Sequence, residues 1–295
     1  PEFSNLKVYG GRKKGETVLL EPETPVTVRD LLRHTSGLTY GFFGQTVVDR
    51  LYAQAEVLNS NGLQDMVNKL SRIPLLCQPA TKFNYSVSTD ILGRIIEKVS
   101  GSRLEDFFER EIFRPLNMVD TGFSVPKAER DRFTTVYTPN PGQELMINDK
   151  FSSSKFLKPP ALYSGGGGLI STARDYMRFC EMLRNGGEFQ GKRIIGQKEI
   201  AAMIRNQLPA SAYPISVLGK QEGVGFGLGV SVVVEKTDYT KTAQIGEYGW
   251  DGIASTHFWV SPKQNLVVVL LSQNLPFSLQ LKNAIRPLIY NALNP

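Results

Sequence analysis

The strands of this sequence come late, and that order limits the folds open to it. Segments 224–235, 255–260 and 266–272 read as strands. The middle one alternates Thr256, Phe258 and Val260 with Ser255, His257 and Trp259, the period of a sheet. Upstream, helical patterns dominate. One covers 28–33, with Thr27 as its N-cap. Others cover 90–99 and 104–112, the second stopped by Pro115. A fourth covers 173–184, with Thr172 and Asp175 as a capping box and Gly186-Gly187 as the stop. Segment 198–205 also reads as helix, and 279–293 closes the chain as a helix interrupted near Pro287. Two short strands, 6–9 and 17–20, flank a Gly/Lys turn, and 120–160, rich in Pro and Ser, reads as irregular. Helices first and strands last predict an α+β architecture with a helical insertion rather than a doubly wound sheet. The expected division is a sheet domain over 1–22 and 161–295 and a mostly helical domain over 23–160.

Composition removes several functions. The chain has 295 residues, 41% of them hydrophobic, enough for a large core in one big domain or two interlocked ones. Charged residues are 21% and fall in short groups, which argues against a disordered chain. The net charge of +6 is mild, and its densest cluster, Arg12-Lys13-Lys14, lies between glycines. That cluster reads as a solvated hairpin tip, so no nucleic-acid partner is expected. Cys77 and Cys180 give no disulfide framework, and with His34 and His257 they make no zinc spacing. The apolar run 266–271 is a buried strand, far too short to span a membrane. No signal peptide is visible, and the chain opens Pro1-Glu2-Phe3 without a methionine. The true N-terminus is therefore expected upstream, and the compartment of a soluble protein, cytoplasm or periplasm, stays open.

Most apparent motifs dissolve. Gly186 to Lys192 has the spacing of a phosphate-binding loop, but Arg193 stands where Ser or Thr should hold magnesium, and the loop follows a helix. Gly223, Gly225, Gly227 and Gly229 alternate and read as sites of close backbone packing. No Gly-x-Ser-x-Gly elbow exists, which argues against an α/β-hydrolase. What remains is Tyr85-Ser86-Val87, a tyrosine with small polar neighbours just before a helix that ends in Ser100-Gly101. Alone, such a tyrosine reads as an interfacial residue. Asn84-Tyr85-Ser86 is also a formal glycosylation sequon, but a glycan there would obstruct the tyrosine.

Three other segments change that balance. They are Thr-Pro-Val-Thr-Val-Arg-Asp-Leu-Leu-Arg-His-Thr-Ser-Gly-Leu at 24–38, Tyr-Ser-Gly-Gly-Gly-Gly-Leu-Ile-Ser-Thr at 163–172, and Gly249-Trp250-Asp251-Gly252. In this order they resemble the hallmark segments of serine hydrolases of the class C β-lactamase kind. Ser-Gly-Leu-Thr-Tyr-Gly-Phe-Phe-Gly at 36–44, with Tyr-Ser-Val and Trp-x-Gly, is most similar to the esterase branch, the family VIII carboxylesterases. The resemblance implies a β-lactamase/transpeptidase-like fold, an antiparallel sheet flanked by helices plus a mostly helical domain. It implies Tyr85 as general base and the backbone N–H of Ile253 as an oxyanion donor. It places Val87, Trp250, Asp251 and Gly252 at the substrate, and Trp250 with the aromatics Tyr40, Phe42 and Phe43 would line an acyl pocket. His34 is read as structural. The implied partner is a small-molecule ester, with no metal or organic cofactor.

Two departures from the lactamase pattern carry chemistry. Lactamases usually place Asn where this chain has Val87, and an amide there can bond a substrate amide as valine cannot. Their third motif usually begins with Lys or His, where this chain has Trp250. A cation can pair with a substrate carboxylate, whereas an indole offers one N–H and a large apolar face. Asp251 would repel a carboxylate further. All three suit a neutral, apolar ester.

The nucleophile is the gap. Ser124-Val125-Pro126-Lys127 has proline inside the turn that must be helical. Ser152-Ser153-Ser154-Lys155 lies in a polar stretch before Pro159-Pro160. A helix start is needed to put serine and lysine on one face and aim N–H groups at an oxyanion. The resemblance also implies a Ser-x-x-Lys helix, an N-terminal helix and two strands ahead of Pro1. The catalytic serine and lysine are thus expected outside this chain, in an N-terminal segment cleaved away or carried separately. Segment 266–271, with no charge or proline, would otherwise present an apolar edge.

Overall fold

The computed structural model describes residues 1–140 and 144–293. Residues 141–143, inside the stretch read as irregular, and 294–295, at the end of the expected sheet domain, lie outside the described residues. The chain divides into two units. One comprises Pro1–Phe107, Ala161–Gly168 and Arg205–Gly229, the other Phe108–Pro160, Leu169–Ile204 and Val230–Pro295.

In the first unit, strands Val8–Lys13 and Glu16–Leu20 pair as an antiparallel hairpin. Arg12, Lys13 and Lys14 are exposed around its turn. Helix Val28–Leu32 starts on a complete capping box, Thr27 with Asp30. The same buried carboxylate accepts from Thr35 Oγ1 at 2.8 Å and pairs with Arg33 at 3.0 Å, so one aspartate closes the helix at both ends. Helix Ser88–Ser100 ends at Gly101 in the left-handed region. Its Ile91 joins Leu38, Val48, Met66, Leu70, Leu75 and Val87 in a single core.

In the second unit, antiparallel strands lie in the order Leu266–Leu270, Thr256–Ser261, Tyr248–Gly252, Ser231–Val233. Helix Ala173–Arg184 packs on Leu266–Leu270 and Thr256–Ser261. Its Cys180, Met182 and Leu183 share a core with Val232, Tyr248, Phe258 and Val260. Gly249 is required by contact: a Cβ there would lie 2.1 Å from the Phe258 carbonyl oxygen.

Several local expectations are corrected. Segment 224–235 is two strands, Val224–Phe226 and Ser231–Val233, broken near Gly229 at φ +99°. Stretch 120–160 contains a hairpin, Val136–Pro139 with Leu145–Asp149. Leu145, Met146 and Ile147 are all exposed there, so no alternation marks the strand. Pro115 does not stop its helix. The chain runs from Leu104–Phe108 through a π turn, Glu109–Phe113, into Arg114–Leu116, where proline sits in a first turn that asks no hydrogen bond of it. Pro287 lies inside an unbroken helix, Gln280–Leu293. Arg286 and Tyr290, on either side of it, both engage Glu247. The Thr172 cap is half a box: its hydroxyl accepts from Asp175 N at 3.3 Å, but Asp175 turns to Asp120 N and Thr121 Oγ1.

Candidate active site

Tyr85 lies in a loop held by the segment that follows the first helix. His34, at φ +54°, stands where only a reversal of the chain uses the left-handed region. Its carbonyl accepts from Asn84 N at 2.8 Å. Its Nδ1 accepts from Ser86 N at 3.2 Å, which leaves the ring proton on Nε2. Asn84 Nδ2 donates to the Leu38 carbonyl at 2.5 Å, so this sequon amide is already engaged. Gly37, at φ +83°, lets the loop pass the Cys77 carbonyl, 2.4 Å from where a Cβ would be.

Beneath Tyr85 runs a buried chain of hydroxyls. Ser86 Oγ and Ser36 Oγ each lie 2.8 Å from Ser88 Oγ, and Ser36 Oγ accepts from Leu38 N at 3.2 Å. His34 heads this chain. Burial lowers its pKa to about 3, so it is a neutral ring. It packs against Tyr85 with centroids 4.7 Å apart and against Phe226 at 5.5 Å. Reading His34 as structural agrees with this setting.

Around Tyr85 stand the expected aromatics. Tyr40 and Phe43 lie 5.2 and 5.9 Å from it, ring to ring. Phe42 and Phe43 are 4.4 Å apart, and Phe42 is 5.3 Å from Tyr40. Tyr85 is half-buried, Tyr40 is 9% exposed, and Phe42 is 56% exposed. Val87 is fully buried in the core. It closes the floor under Tyr85 and has no surface of its own to offer a ligand.

Trp250, Asp251, Gly252 and Ile253 form a second group, in the other unit. The first three end strand Tyr248–Gly252, and Ile253, 61% exposed, sits on the turn that follows. That turn is tied down. Ser255 N donates to the Gly252 carbonyl at 3.0 Å, Ser255 Oγ donates to the Asn274 carbonyl at 3.1 Å, and Ser278 N donates back to Ser255 Oγ at 2.9 Å. The Asp251 carboxylate lies 2.7 Å from His257 Nδ1 and 2.8 Å from Lys282 Nζ. Burial works to raise its pKa, but the His257 hydrogen bond and Lys282 outweigh that and hold it below the usual carboxylate range. Its charge is spent on these two partners. Sequence reasoning missed both, because Lys282 is 31 positions away and His257 sat in a strand pattern as one more alternating residue.

None of the three Ser-x-x-Lys spacings is on an α-helix, and the third, Ser4-Asn5-Leu6-Lys7, runs from a turn into irregular chain. Lys127 opens a 3-10 turn, Lys127–Arg132, after Pro126, and Ser152 and Lys155 belong to separate short turns. Among the described residues no cluster of His, Cys, Asp or Glu could hold a metal, and no helix is long and apolar enough to cross a membrane.

An antiparallel sheet with a helix across it, and a tyrosine loop ahead of a capped helix, define the β-lactamase/transpeptidase-like class of fold. EstCE1, described as a hydrolase with promiscuous acyltransferase activity, superposes with a TM-score of 0.77 at 26% identity, over 92% of this chain and 73% of that one. The chain belongs to the beta-lactamase family, whose profile matches residues 18–289. An uncharacterized protein of Mycobacterium tuberculosis, MT1414, is 31% identical over 259 residues, 85% of this chain and 63% of that protein. Esterase EstB of Burkholderia gladioli is 27% identical over 288 residues, 89% of this chain and 70% of that protein. The chain thus spans 63% of the length of its mycobacterial relative.

Proposed function

We propose that this protein serves a serine esterase that works through an acyl-enzyme, with Tyr85 as general base and a small, apolar carboxylic ester as substrate. The observation that carries this reading is the aromatic surface at Tyr85. Phe42 and Phe43 present exposed rings, and Tyr40 and Phe43 lie against the Tyr85 ring. Such a surface favours apolar acyl groups. The similarity to EstB points the same way.

In the proposed reaction, a serine hydroxyl attacks the ester carbonyl and Tyr85, as tyrosinate, takes its proton. The carbonyl oxygen gathers negative charge and is held by N–H donors, with Ile253 contributing one. One such donor is worth roughly 3 kcal/mol. Collapse expels the alcohol, which leaves with the proton returned by Tyr85. Water then repeats the cycle on the acyl-enzyme. An alcohol could replace water, an outcome favoured by the acyltransferase activity named for EstCE1. Trp250 would pack against the apolar part of the substrate. The serine and its lysine are assigned to a segment outside these residues, which suits the greater length of the relatives.

The test is fluorophosphonate labelling of the full-length protein, with hydrolysis of a short-chain p-nitrophenyl ester by wild type and Tyr85→Phe. Labelling with loss of turnover in the variant supports the reading. Absence of label makes the protein a binding relative instead of an enzyme.

A further inference from the structure

At the Tyr40 hydroxyl, three oxygens converge on a glycine. Asp90, in the first turn of Ser88–Ser100, is 1% exposed. Its Oδ1 accepts from Ser164 Oγ at 2.5 Å and from Gly166 N at 3.3 Å. Its Oδ2 is buried with no hydrogen-bond partner, and so is Thr89 Oγ1. A Cβ on Gly166 would lie 2.6 Å from the Tyr40 hydroxyl, 2.7 Å from Thr89 Oγ1 and 2.9 Å from Asp90 Oδ2. Only a residue without a side chain leaves room for all three. Two buried oxygens without partners are costly, so their placement around one hydroxyl needs an account.

The Tyr85 ring lies 5.2 Å from that of Tyr40, centroid to centroid, and Thr89 and Asp90 share the gap at Gly166 with the Tyr40 hydroxyl. Burial pushes its phenol far above the ordinary range, Tyr85 and Asp90 push it further, and Thr89, close but short of hydrogen-bond geometry, tempers this only in part. The Tyr40 phenol is therefore held protonated more strongly than a free tyrosine. When Tyr85 is a tyrosinate, that hydrogen is best placed on the anion.

We propose that Tyr40 is a positioning residue for Tyr85, donating a hydrogen bond to the tyrosinate, and that Thr89, Asp90 and the gap at Gly166 hold the Tyr40 hydroxyl where it can do so. This rests on Tyr85 being the base. Among the titratable groups facing the pair are His34, neutral and against the Tyr85 ring, and Asp90, near the Tyr40 hydroxyl. The Ser36, Ser86 and Ser88 hydroxyls bond one another nearby, and the Phe42 and Phe43 rings lie against the pair.

The experiment uses the full-length enzyme and a short-chain p-nitrophenyl ester, with kcat and KM followed across pH. A tyrosinate that loses a donor is harder to form, so the acid-side limb of kcat must move to higher pH. Tyr40→Phe keeps the ring and removes the hydroxyl. It is expected to lower kcat roughly 10-fold at neutral pH, move that limb up by about one unit, and leave KM within about two-fold. Gly166→Ala keeps Tyr40 but sets a methyl among the three oxygens. It should shift the limb in the same direction. A merely structural Tyr40 would lower the melting temperature and leave the limb in place. If both variants keep the wild-type limb while Tyr85→Phe is inactive, the positioning role is wrong and the base stands. If Tyr85→Phe is fully active, the base reading fails and this proposal fails with it.

Discussion

His34 shows how one residue joins folding to the site. Its backbone reverses the chain, its carbonyl and Nδ1 hold Asn84 and Ser86, and its ring supports Tyr85. The depressed pKa also ties it to stability. The unfolded chain protonates this histidine near 6.5 while the folded one resists until about 3. Stability is therefore intact above pH 6.5 and falls by about 1.4 kcal/mol per unit as pH drops through that window. Chemical denaturation at a series of pH values should show this slope, and His34→Gln, which can still accept from Ser86 N, should flatten it. For Tyr85 itself, Tyr85→Phe is expected to cut ester turnover by at least roughly 100-fold, as the loss of a general base does, with little change in melting temperature. Tyr85 was legible because its neighbours in sequence set it apart. Asp90 and Gly166 were not, since an aspartate in a helix's first turn and one glycine among four have ordinary explanations until they meet in space.

At the scale of elements, the turn bearing Ile253 owes its shape to a later segment. Asp251 links strand Tyr248–Gly252 to helix Gln280–Leu293 through Lys282, and to strand Thr256–Ser261 through His257. Asp251→Ala would leave Lys282 without its counter-charge and His257 Nδ1 without its hydrogen-bond partner, and is expected to cost about 2 kcal/mol of stability. Because its carboxyl is held below the usual range, its contribution is present above about pH 4 and lost as pH falls further. Comparing acid denaturation of wild type and Asp251→Ala checks both statements. Elements with strong local grammar were readable from sequence. Helix Ala173–Arg184, with its threonine cap and double-glycine stop, is one. The hairpin Val136–Pro139 with Leu145–Asp149 was not, because both faces of its second strand are largely exposed. The continuous helix through Pro287 was hidden because what steadies it is Glu247, forty positions upstream in the strand region.

For the molecule as a whole, membership of the beta-lactamase family is shown, and the departures from the lactamase pattern decide which chemistry to expect. Full-length protein should turn over a p-nitrophenyl ester of a short acid faster than a chromogenic cephalosporin. The reverse order would return Trp250 to the status of a neutral substitution. The family was legible because its motifs survive as short strings in order. The division into units was harder to read, since each is assembled from three separated stretches and no local pattern announces which stretches will meet.

Strand Leu266–Leu270 ends the sheet, paired only with Thr256–Ser261 among the described residues, and it carries no charge. That matters at the bench. A row of unpaired backbone groups flanked by valine and leucine templates the addition of another strand. These 295 residues expressed alone should therefore drift toward ordered aggregates, a tendency that Val268→Lys would slow and thioflavin fluorescence would record.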